Sequence, residues 1–193
     1  MQQPRVYLAG PDVFLPDSVA RGEELKAFLR EVSLTGVFPL DGELSSEGVP
    51  GPELGHEIYR QNDRLVRSCD AVLANLSPFR GPRADVGTVF EVGLACGLGL
   101  LVVGYTHAEA LFEERTRRWA EEHGAGLRAR KDGSLEDGDG LQVESFGLTD
   151  NLMIDGAIRA SGGVIVSGGA DPARRAAQEL ATRLAGRKGR SDS

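Results

Sequence analysis

The chain has 193 residues, of which 40% are hydrophobic and 26% are charged, and its formal net charge is -7. This length and composition are typical of one soluble globular domain. Nucleic acid and anionic membranes are not expected partners, because the chain carries no long basic stretch. No apolar run reaches the ~18 residues of a membrane-spanning helix. Gly10 and Pro11 interrupt the N-terminal apolar run, which therefore does not resemble a signal peptide.

Cysteine and histidine are sparse and scattered. Cys69 and Cys96 lie far apart, and none of the three histidines neighbours another histidine or a cysteine. We therefore expect no metal site. Cysteines without a disulfide-type pattern favour a reduced, cytoplasmic protein.

Apolar segments alternate with helical patterns, which predicts a parallel sheet covered by helices. The predicted elements are, in chain order, strand 5–9, helix 17–32, strand 37–38, helix 53–68, strand 70–76, helix 86–98, strand 100–104, helix 108–123, strand 163–167 and helix 171–185. We expect an α/β fold with a flavodoxin-like or Rossmann-like five-stranded parallel sheet sandwiched by helices. It would form a single domain over 1–186, followed by a disordered basic tail over 187–193. Ligands of such sheets bind beyond the carboxyl ends of the strands.

Two segments have the composition of long loops. Residues 39–52 are polar and rich in Gly and Pro, and residues 125–140 are rich in Gly and charge. Loops of this length in a compact domain are often functional. We expect the second segment to be a mobile insertion.

A carboxylate motif stands out in S-P-F-R-G-P-R-A-D-V-G-T-V-F-E-V-G, residues 77–93. Asp85 ends a predicted loop, and Glu91 lies in the first turns of the next helix, where the helix dipole favours an ionised side chain. Gly87 lets a ligand approach the backbone closely. An oriented, ionised carboxylate is what attack on an anomeric carbon requires. A structural alternative is that Thr88 and Glu91 form a capping box.

The chain resembles the nucleoside 2-deoxyribosyltransferases. Four segments match that family and stand in its order: V-Y-L-A-G-P-D-V-F (6–14), C-D-A-V-L-A-N-L (69–76), the motif at 77–93, and E-S-F-G-L-T-D-N-L-M (144–153). The combination of D-x-G-T-x-x-E with a later N-L-M makes the resemblance specific.

The resemblance implies three catalytic residues. Glu91 would be the nucleophile that forms a covalent deoxyribosyl intermediate, and Tyr7 would orient its carboxylate. Asp70 would supply the proton that the leaving base gains. From the residues alone, Tyr7 could instead be a core aromatic and Asp70 could terminate a helix.

The resemblance also implies the substrate contacts. Asp85 would bind a sugar hydroxyl. Asn151, with Met153 beside it, would reach the 5-hydroxyl end of the sugar in a neighbouring subunit's site. The remaining contacts, mainly on the base side, are Phe14, Gly10, Gly87 and Asp41. Phe14 could instead be a core residue, and the 151–153 segment could be an ordinary loop.

The implied activity is a retaining, ping-pong transfer of 2-deoxyribose between nucleobases, without a cofactor. S-P-F-R-G at 77–81 is similar to the purine-handling branch, so purine deoxynucleosides and free bases are the expected partners. A site shared between subunits implies a homo-oligomer, a dimer or a hexamer.

Three alternatives stay open. One is an N-glycoside hydrolase of nucleoside 5-monophosphates. Asp85 argues against it, because its carboxylate and the 5-phosphate carry like charges. Such charges within ~4 Å repel by about 4 kcal/mol at an effective dielectric constant near 20. Arg80 or Arg83 could offset this repulsion. A second is a cytokinin-activating phosphoribohydrolase, whose Pro-Gly-Gly lead-in is missing here. A third is a non-catalytic nucleotide-binding module.

Overall fold

The computed structural model describes residues 3–42 and 50–191, with side chains as far as Arg187. Its strands and helices are, in chain order, β1 (Arg5–Ala9), α1 (Ser18–Glu31), β2 (Thr35–Val37), α2 (Gly51–Arg67), β3 (Ala71–Asn75), α3 (Val86–Gly97), β4 (Leu101–Thr106), α4 (Phe112–Glu122), β5 (Arg128–Ala129), β6 (Leu135–Glu136), β7 (Gln142–Val143), α5 (Leu152–Ala160), β8 (Ile165–Ser167) and α6 (Pro172–Ser191). Two short 3-10 turns, Pro11–Phe14 and Pro39–Asp41, follow β1 and β2.

The main sheet confirms the predicted fold class. Its five strands run in the order β2-β1-β3-β4-β8, and every neighbouring pair is parallel. This is the flavodoxin-like, doubly wound order. The chain reverses its direction of winding at β1 and β3, so their carboxyl ends flank the crevice in which such sheets bind ligands.

Side-chain alternation along β1 divides the core into two layers. Val6 and Leu8 belong to the core cluster that includes α1 and α6, whereas Tyr7 and Ala9 belong to the cluster that includes α3 and α5. Successive side chains of a strand point to opposite faces of its sheet. The period of the strand therefore directs Tyr7 towards α3.

Most predicted boundaries shift by a few residues, and two of these shifts occur at turns. The second strand covers Thr35–Val37 rather than 37–38. Phe38 lies outside it because its N–H donates to Asp41 Oδ2 at 2.8 Å and begins the turn Pro39–Asp41. The helix predicted from residue 108 begins at Phe112.

The segment predicted as a mobile insertion contains secondary structure. β5, β6 and β7 form a second, antiparallel sheet of three strands. Arg130 Nε donates to Glu136 Oε2 at 2.8 Å and ties one strand to the preceding turn. Residues 125–140 therefore include the first two strands of a small sheet.

The helices at the C-terminal end extend beyond those predicted. α5 lies where the sequence analysis places no helix, and α6 continues to Ser191, through five residues of the expected tail. Residues 43–49 of the predicted long loop lie outside the described residues. Among the described helices, none combines the length and apolar character needed to cross a membrane.

Candidate active site

A cavity of about 220 Å³ opens at the carboxyl ends of β1 and β3. Five predicted site residues share its lining: Gly10, Phe14, Asp85, Gly87 and Glu91. Larger cavities lie beside α4 and the small sheet, but their linings include none of these five residues. The position of the smaller cavity agrees with the binding crevice of the doubly wound fold.

Glu91 and Tyr7 form the central contact of this site. The Tyr7 hydroxyl donates a hydrogen bond of 2.5 Å to Glu91 Oε1. Tyr7 is completely buried, and its position on β1 directs it to the face that α3 covers. The structure therefore brings together a carboxylate and a phenol that are 84 residues apart in the chain.

Burial changes the acidity of Glu91. It raises the pKa of this carboxyl to about 7; the hydrogen bond from Tyr7 lowers it, and the charge of Asp85 raises it further. Glu91 is the sixth residue of α3, and the favourable effect of a helix dipole is confined to the first turn. The expectation that the dipole would keep Glu91 ionised is corrected, because desolvation is the larger effect.

Asp85 caps α3. Its Oδ2 accepts hydrogen bonds from the backbone N–H of Thr88 at 2.9 Å and from the Thr88 hydroxyl at 3.1 Å. The capping box between Thr88 and Glu91 is therefore excluded, because the cap lies three residues before Thr88. No described side chain donates to the other Asp85 oxygen, Oδ1, which is left for a ligand.

Gly10 is required by a close approach. A Cβ atom at this position would lie 2.5 Å from Asp12 Oδ2 and 2.8 Å from Asn75 Cβ. Asp12 is buried and accepts hydrogen bonds from Asn75 Nδ2 at 2.8 Å and from Arg21 Nε at 3.0 Å. This network anchors the turn Pro11–Phe14 against β3.

Phe14 is not a core residue. It is 60% exposed, and its ring stacks on Phe79 with centroids 5.3 Å apart. The Arg80 guanidinium lies 4.8 Å from the Phe79 ring and 5.6 Å from the Phe14 ring. This aromatic wall joins the turn after β1 to the loop after β3.

Asp70 lies at the opposite end of the sheet. It precedes β3, it is exposed, and its Oδ2 accepts the backbone N–H of Arg5 at 2.7 Å, at the start of β1. The amino ends of parallel strands face away from the cavity at their carboxyl ends. The predicted role of Asp70 in protonating the leaving base is therefore corrected to a structural role in joining β1 and β3.

Asp41 also stays outside the cavity. Its two carboxylate oxygens accept hydrogen bonds from Lys26 Nζ and from the backbone N–H of Phe38. Asp41 therefore closes the turn whose other residues, Pro39 and Leu40, do line the cavity. The predicted base contact of Asp41 is therefore corrected, because the carboxylate serves this turn and is absent from the described lining of the cavity.

Asn151 and Met153 lie apart from Glu91 within one chain. Asn151 caps α5: its Oδ1 accepts the Met153 N–H at 2.9 Å, and its Nδ2 donates to Glu144 Oε1. Both residues line a separate cavity of about 360 Å³ with Val86 of α3. Met153 is 71% and Val86 is 84% exposed.

Sequence reasoning missed the α2 side of the cavity, which consists of Ile58 and Asn62. Both share the cavity lining with Glu91, and Asn62 Oδ1 is buried without a hydrogen-bond partner among the described residues. The sequence signal that could have found Asn62 is a polar residue within an apolar stripe. Ile58, Asn62 and Leu65 recur at helical spacing, so they lie on one face of α2.

Comparisons with known proteins identify the family. A family model described as nucleoside 2-deoxyribosyltransferase matches residues 6–153. A Schizosaccharomyces pombe protein, itself described as uncharacterized, is 35% identical over 190 residues, which cover 94% of this chain and 90% of the relative.

Two solved structures are similar in fold over most of the chain. A 2-desoxiribosyltransferase from Leishmania mexicana is 31% identical, with a TM-score of 0.57, over 78% of this chain and 85% of that one. A conserved protein from Enterococcus faecalis V583 has the same TM-score at 18% identity, over 94% and 99%, and supports the fold alone.

The family match covers most of the chain and includes the segments that build the cavity. It indicates an enzyme that transfers or hydrolyses glycosyl groups. The chain belongs to the nucleoside 2-deoxyribosyltransferase family.

Proposed function

We propose that this protein transfers 2-deoxyribose between nucleobases, preferably purines, through a covalent intermediate on Glu91. The observation that carries the proposal is the hydrogen bond from Tyr7 to the buried carboxylate of Glu91, inside a cavity at the switch point of the sheet. A carboxylate held by one oxygen keeps the other available for attack on an anomeric carbon.

In the first half-reaction, a carboxylate oxygen of Glu91 attacks C1′ of the deoxynucleoside. The new C–O bond forms as the N-glycosidic C–N bond breaks, and its electron pair passes to the base nitrogen, which gains a proton. Since Asp70 lies at the far end of the sheet, we assign this proton to solvent. The product is a deoxyribosyl ester of Glu91 and a free base.

In the second half-reaction, a nitrogen of the incoming base attacks C1′ and loses its proton. The ester C–O bond breaks, and its electron pair returns to the Glu91 carboxylate. Two inversions give net retention at C1′. Neither half-reaction requires a metal or an organic cofactor.

The sugar and base sides of the cavity differ in polarity. Asp85 and Glu91 are carboxylates, and no described cation forms an ion pair with Asp85. A free 5-hydroxyl suits this charge better than a phosphate, because like charges repel. Phe14, Leu40 and Ile58 provide apolar surface for a flat base, which supports a nucleoside substrate.

A homo-oligomer belongs to the same proposal. Met153 and Val86 present apolar surface beside Asn151, and exposed patches of this kind mark interaction sites. We propose that a second copy covers this surface and places Asn151 at its neighbour's site. A cytoplasmic location, predicted from the cysteine pattern, completes the proposal.

The test is base exchange followed by chromatography. Incubation with deoxyinosine and adenine should yield deoxyadenosine and hypoxanthine, and Glu91→Gln should reduce this by roughly a thousandfold or more, as removal of a covalent nucleophile does. Glu31→Gln, at the exposed end of α1, is the matched control. Base release from a deoxynucleotide alone would instead identify a hydrolase, and silence with both substrates would identify a binding module.

A further inference from the structure

The Asn62 side chain is the unexplained polar group of the cavity. Its Oδ1 is buried, and no hydrogen bond joins this side chain to any other described residue. Leaving a buried acceptor without a donor costs about 1–3 kcal/mol. Among the described residues, none therefore supplies a donor to Asn62 Oδ1.

The other polar side chains of the cavity already have roles. Thr88 donates to Asp85, and Tyr7 donates to Glu91. Both carboxylates lie on or beside α3, whereas Asn62 lies on α2 with Ile58 one turn away. The amide is thus the polar side chain available for a base whose sugar is held by the carboxylates.

A carboxamide presents one acceptor and one donor side by side. The N7/C6 edge of adenine has the complementary pair, with an amino donor at N6 and an acceptor at N7. The same edge of a 6-oxopurine has two acceptors, O6 and N7, so it would place a lone pair against Oδ1. The N7 atom of this edge belongs to the imidazole ring, and the same ring carries the glycosidic bond. In a cavity of only about 220 Å³, the N7/C6 edge therefore stays near the sugar.

We propose that Asn62 selects the base by this edge and makes the site prefer 6-aminopurines over 6-oxopurines. Oδ1 accepts from the exocyclic amine, and Nδ2 donates to the neighbouring ring nitrogen. The preference between deoxynucleoside substrates rests on the proposed function. The preference in the binding of free bases does not require that the protein be a transferase.

The kinetic test compares deoxyadenosine with deoxyinosine as deoxyribose donors to one common acceptor base. A bidentate amide–adenine pair gives discrimination of roughly 5- to 150-fold, so kcat/KM should favour deoxyadenosine by that factor. Asn62→Leu, which keeps the size of the side chain, should remove most of the preference. Asn62→Asp should do the same, because a carboxylate has no donor for N7.

Asp63→Asn is the matched control, because the Asp63 carboxylate pairs with Arg67 along α2 and does not line the cavity. This variant should keep the wild-type preference. Exchange with equal efficiency for both donors, a preference for the 6-oxo donor, or an unchanged ratio in both Asn62 variants would overturn the role of Asn62 and leave the transferase proposal intact.

Titration calorimetry with free adenine and free hypoxanthine separates the two proposals. If no deoxynucleoside reacts, the transferase proposal fails, and the binding data alone decide the role of Asn62. Tighter binding of adenine that is lost in Asn62→Leu and Asn62→Asp but retained in Asp63→Asn supports it. Equal binding of the two bases by the wild-type protein overturns it.

Discussion

Tyr7 and Glu91 share one hydrogen bond but differ in the pH at which each loses its proton. Burial raises the pKa of Glu91 to about 7, and burial together with the nearby Glu91 charge raises the pKa of Tyr7 well above its usual value. Near neutral pH, Tyr7 therefore remains the donor while Glu91 titrates. The proposed nucleophile changes its charge state within the physiological range.

Removal of the phenol should shift the pH dependence of activity. Glu91 must be ionised to attack, so kcat/KM should rise with pH to a plateau above about 7. Tyr7→Phe removes a hydrogen bond to the ionised form, which is worth about 1.5–3 kcal/mol, so the pKa of Glu91 should rise by roughly one to two pH units. The pH profile of base exchange should show its acidic limb moving to higher pH.

Tyr105→Phe is the control for this shift, because Tyr105 is also buried in a parallel strand, whereas the phenol that donates to Glu91 among the described residues is that of Tyr7. It should leave the acidic limb in place. An acidic limb that Tyr7→Phe does not move, or moves to lower pH, would contradict the role assigned to Tyr7.

The same carboxyl should make stability depend on pH. Its pKa is about 7 in the folded protein and 4.5 as the ordinary value, so between these limits the folded state binds more protons than the unfolded state. The free energy of unfolding should therefore fall as pH rises from 4.5 to 7, by about 3 kcal/mol at 1.36 kcal/mol per pH unit. Urea denaturation of Glu91→Gln should lack this decrease. An equal decrease of the free energy of unfolding in Glu91→Gln would show that other groups cause the pH dependence.

At the level of single residues, the sequence motif identified the α3 side of the site better than the α2 side. D-V-G-T-V-F-E placed Asp85 and Glu91 in one cavity, because both belong to one short motif around a helix start. Asp70 was misplaced because its role came from the resemblance, although it begins the predicted strand 70–76 and so lies at the amino end of a parallel sheet. Asn62 was missed because the spacing of a helix does not show which cavity one of its faces lines.

At the level of elements, the predictable features are the longer apolar segments. The apolar run in R-V-Y-L-A predicts β1 with the bounds the structure has, and in the structure the pleat of this strand directs Tyr7 to the face of α3. β5, β6 and β7 have two residues each, which is too short for any period to be detected. α5 is a nine-residue helix that contains Gly156, and glycine is a poor helix former.

A buried ion pair connects α4 to the segment that precedes α5. Arg115 of α4 donates to Asp150 Oδ2 at 3.0 Å and also to the carbonyl oxygens of Pro82, Ala110 and Thr149. Asp150 also accepts the Ala84 N–H at 3.2 Å. The pair thus holds the loop before α3 against the segment that precedes α5.

Removal of one partner should be costly. Burial lowers the pKa of Arg115 and raises the pKa of Asp150, so each charge needs the other. Asp150→Ala should reduce the free energy of unfolding by about 3–5 kcal/mol, as loss of one partner of a buried pair does. Glu113→Ala, which removes the half-exposed partner of Arg117, should cost about 0–1 kcal/mol. Equal losses in denaturant titrations of the two variants would contradict this distinction.

At the level of the whole molecule, the strand order determines where the site forms. β1 and β3 are neighbours with connections in opposite directions, so Gly10 and the motif that contains Glu91 meet at one crevice. Within one chain, Asn151 lines a different cavity. The resemblance assigns Asn151 to a neighbouring subunit's site, and this assignment stays a prediction.

Mixing of two inactive variants tests whether the site is shared. Glu91→Ala and Asn151→Ala should each be impaired alone. If Asn151 acts on a neighbour, random reassembly into dimers should restore up to about a quarter of wild-type activity, because half of the dimers are mixed and one of their two sites is intact. Unmixed variants carried through the same reassembly are the control. No recovery in verified mixed oligomers would place Asn151 outside its neighbour's site.

The most direct test of the central claim is to trap the intermediate on the protein. A deoxynucleoside is added without an acceptor base, the reaction is quenched in acid, and the digested protein is analysed by tandem mass spectrometry. The account predicts one added 2-deoxyribosyl group on Glu91, absent from Glu91→Gln and lost when an acceptor base is added before the quench. Base exchange by a protein that never carries this group, or carries it on a different side chain, would contradict the account.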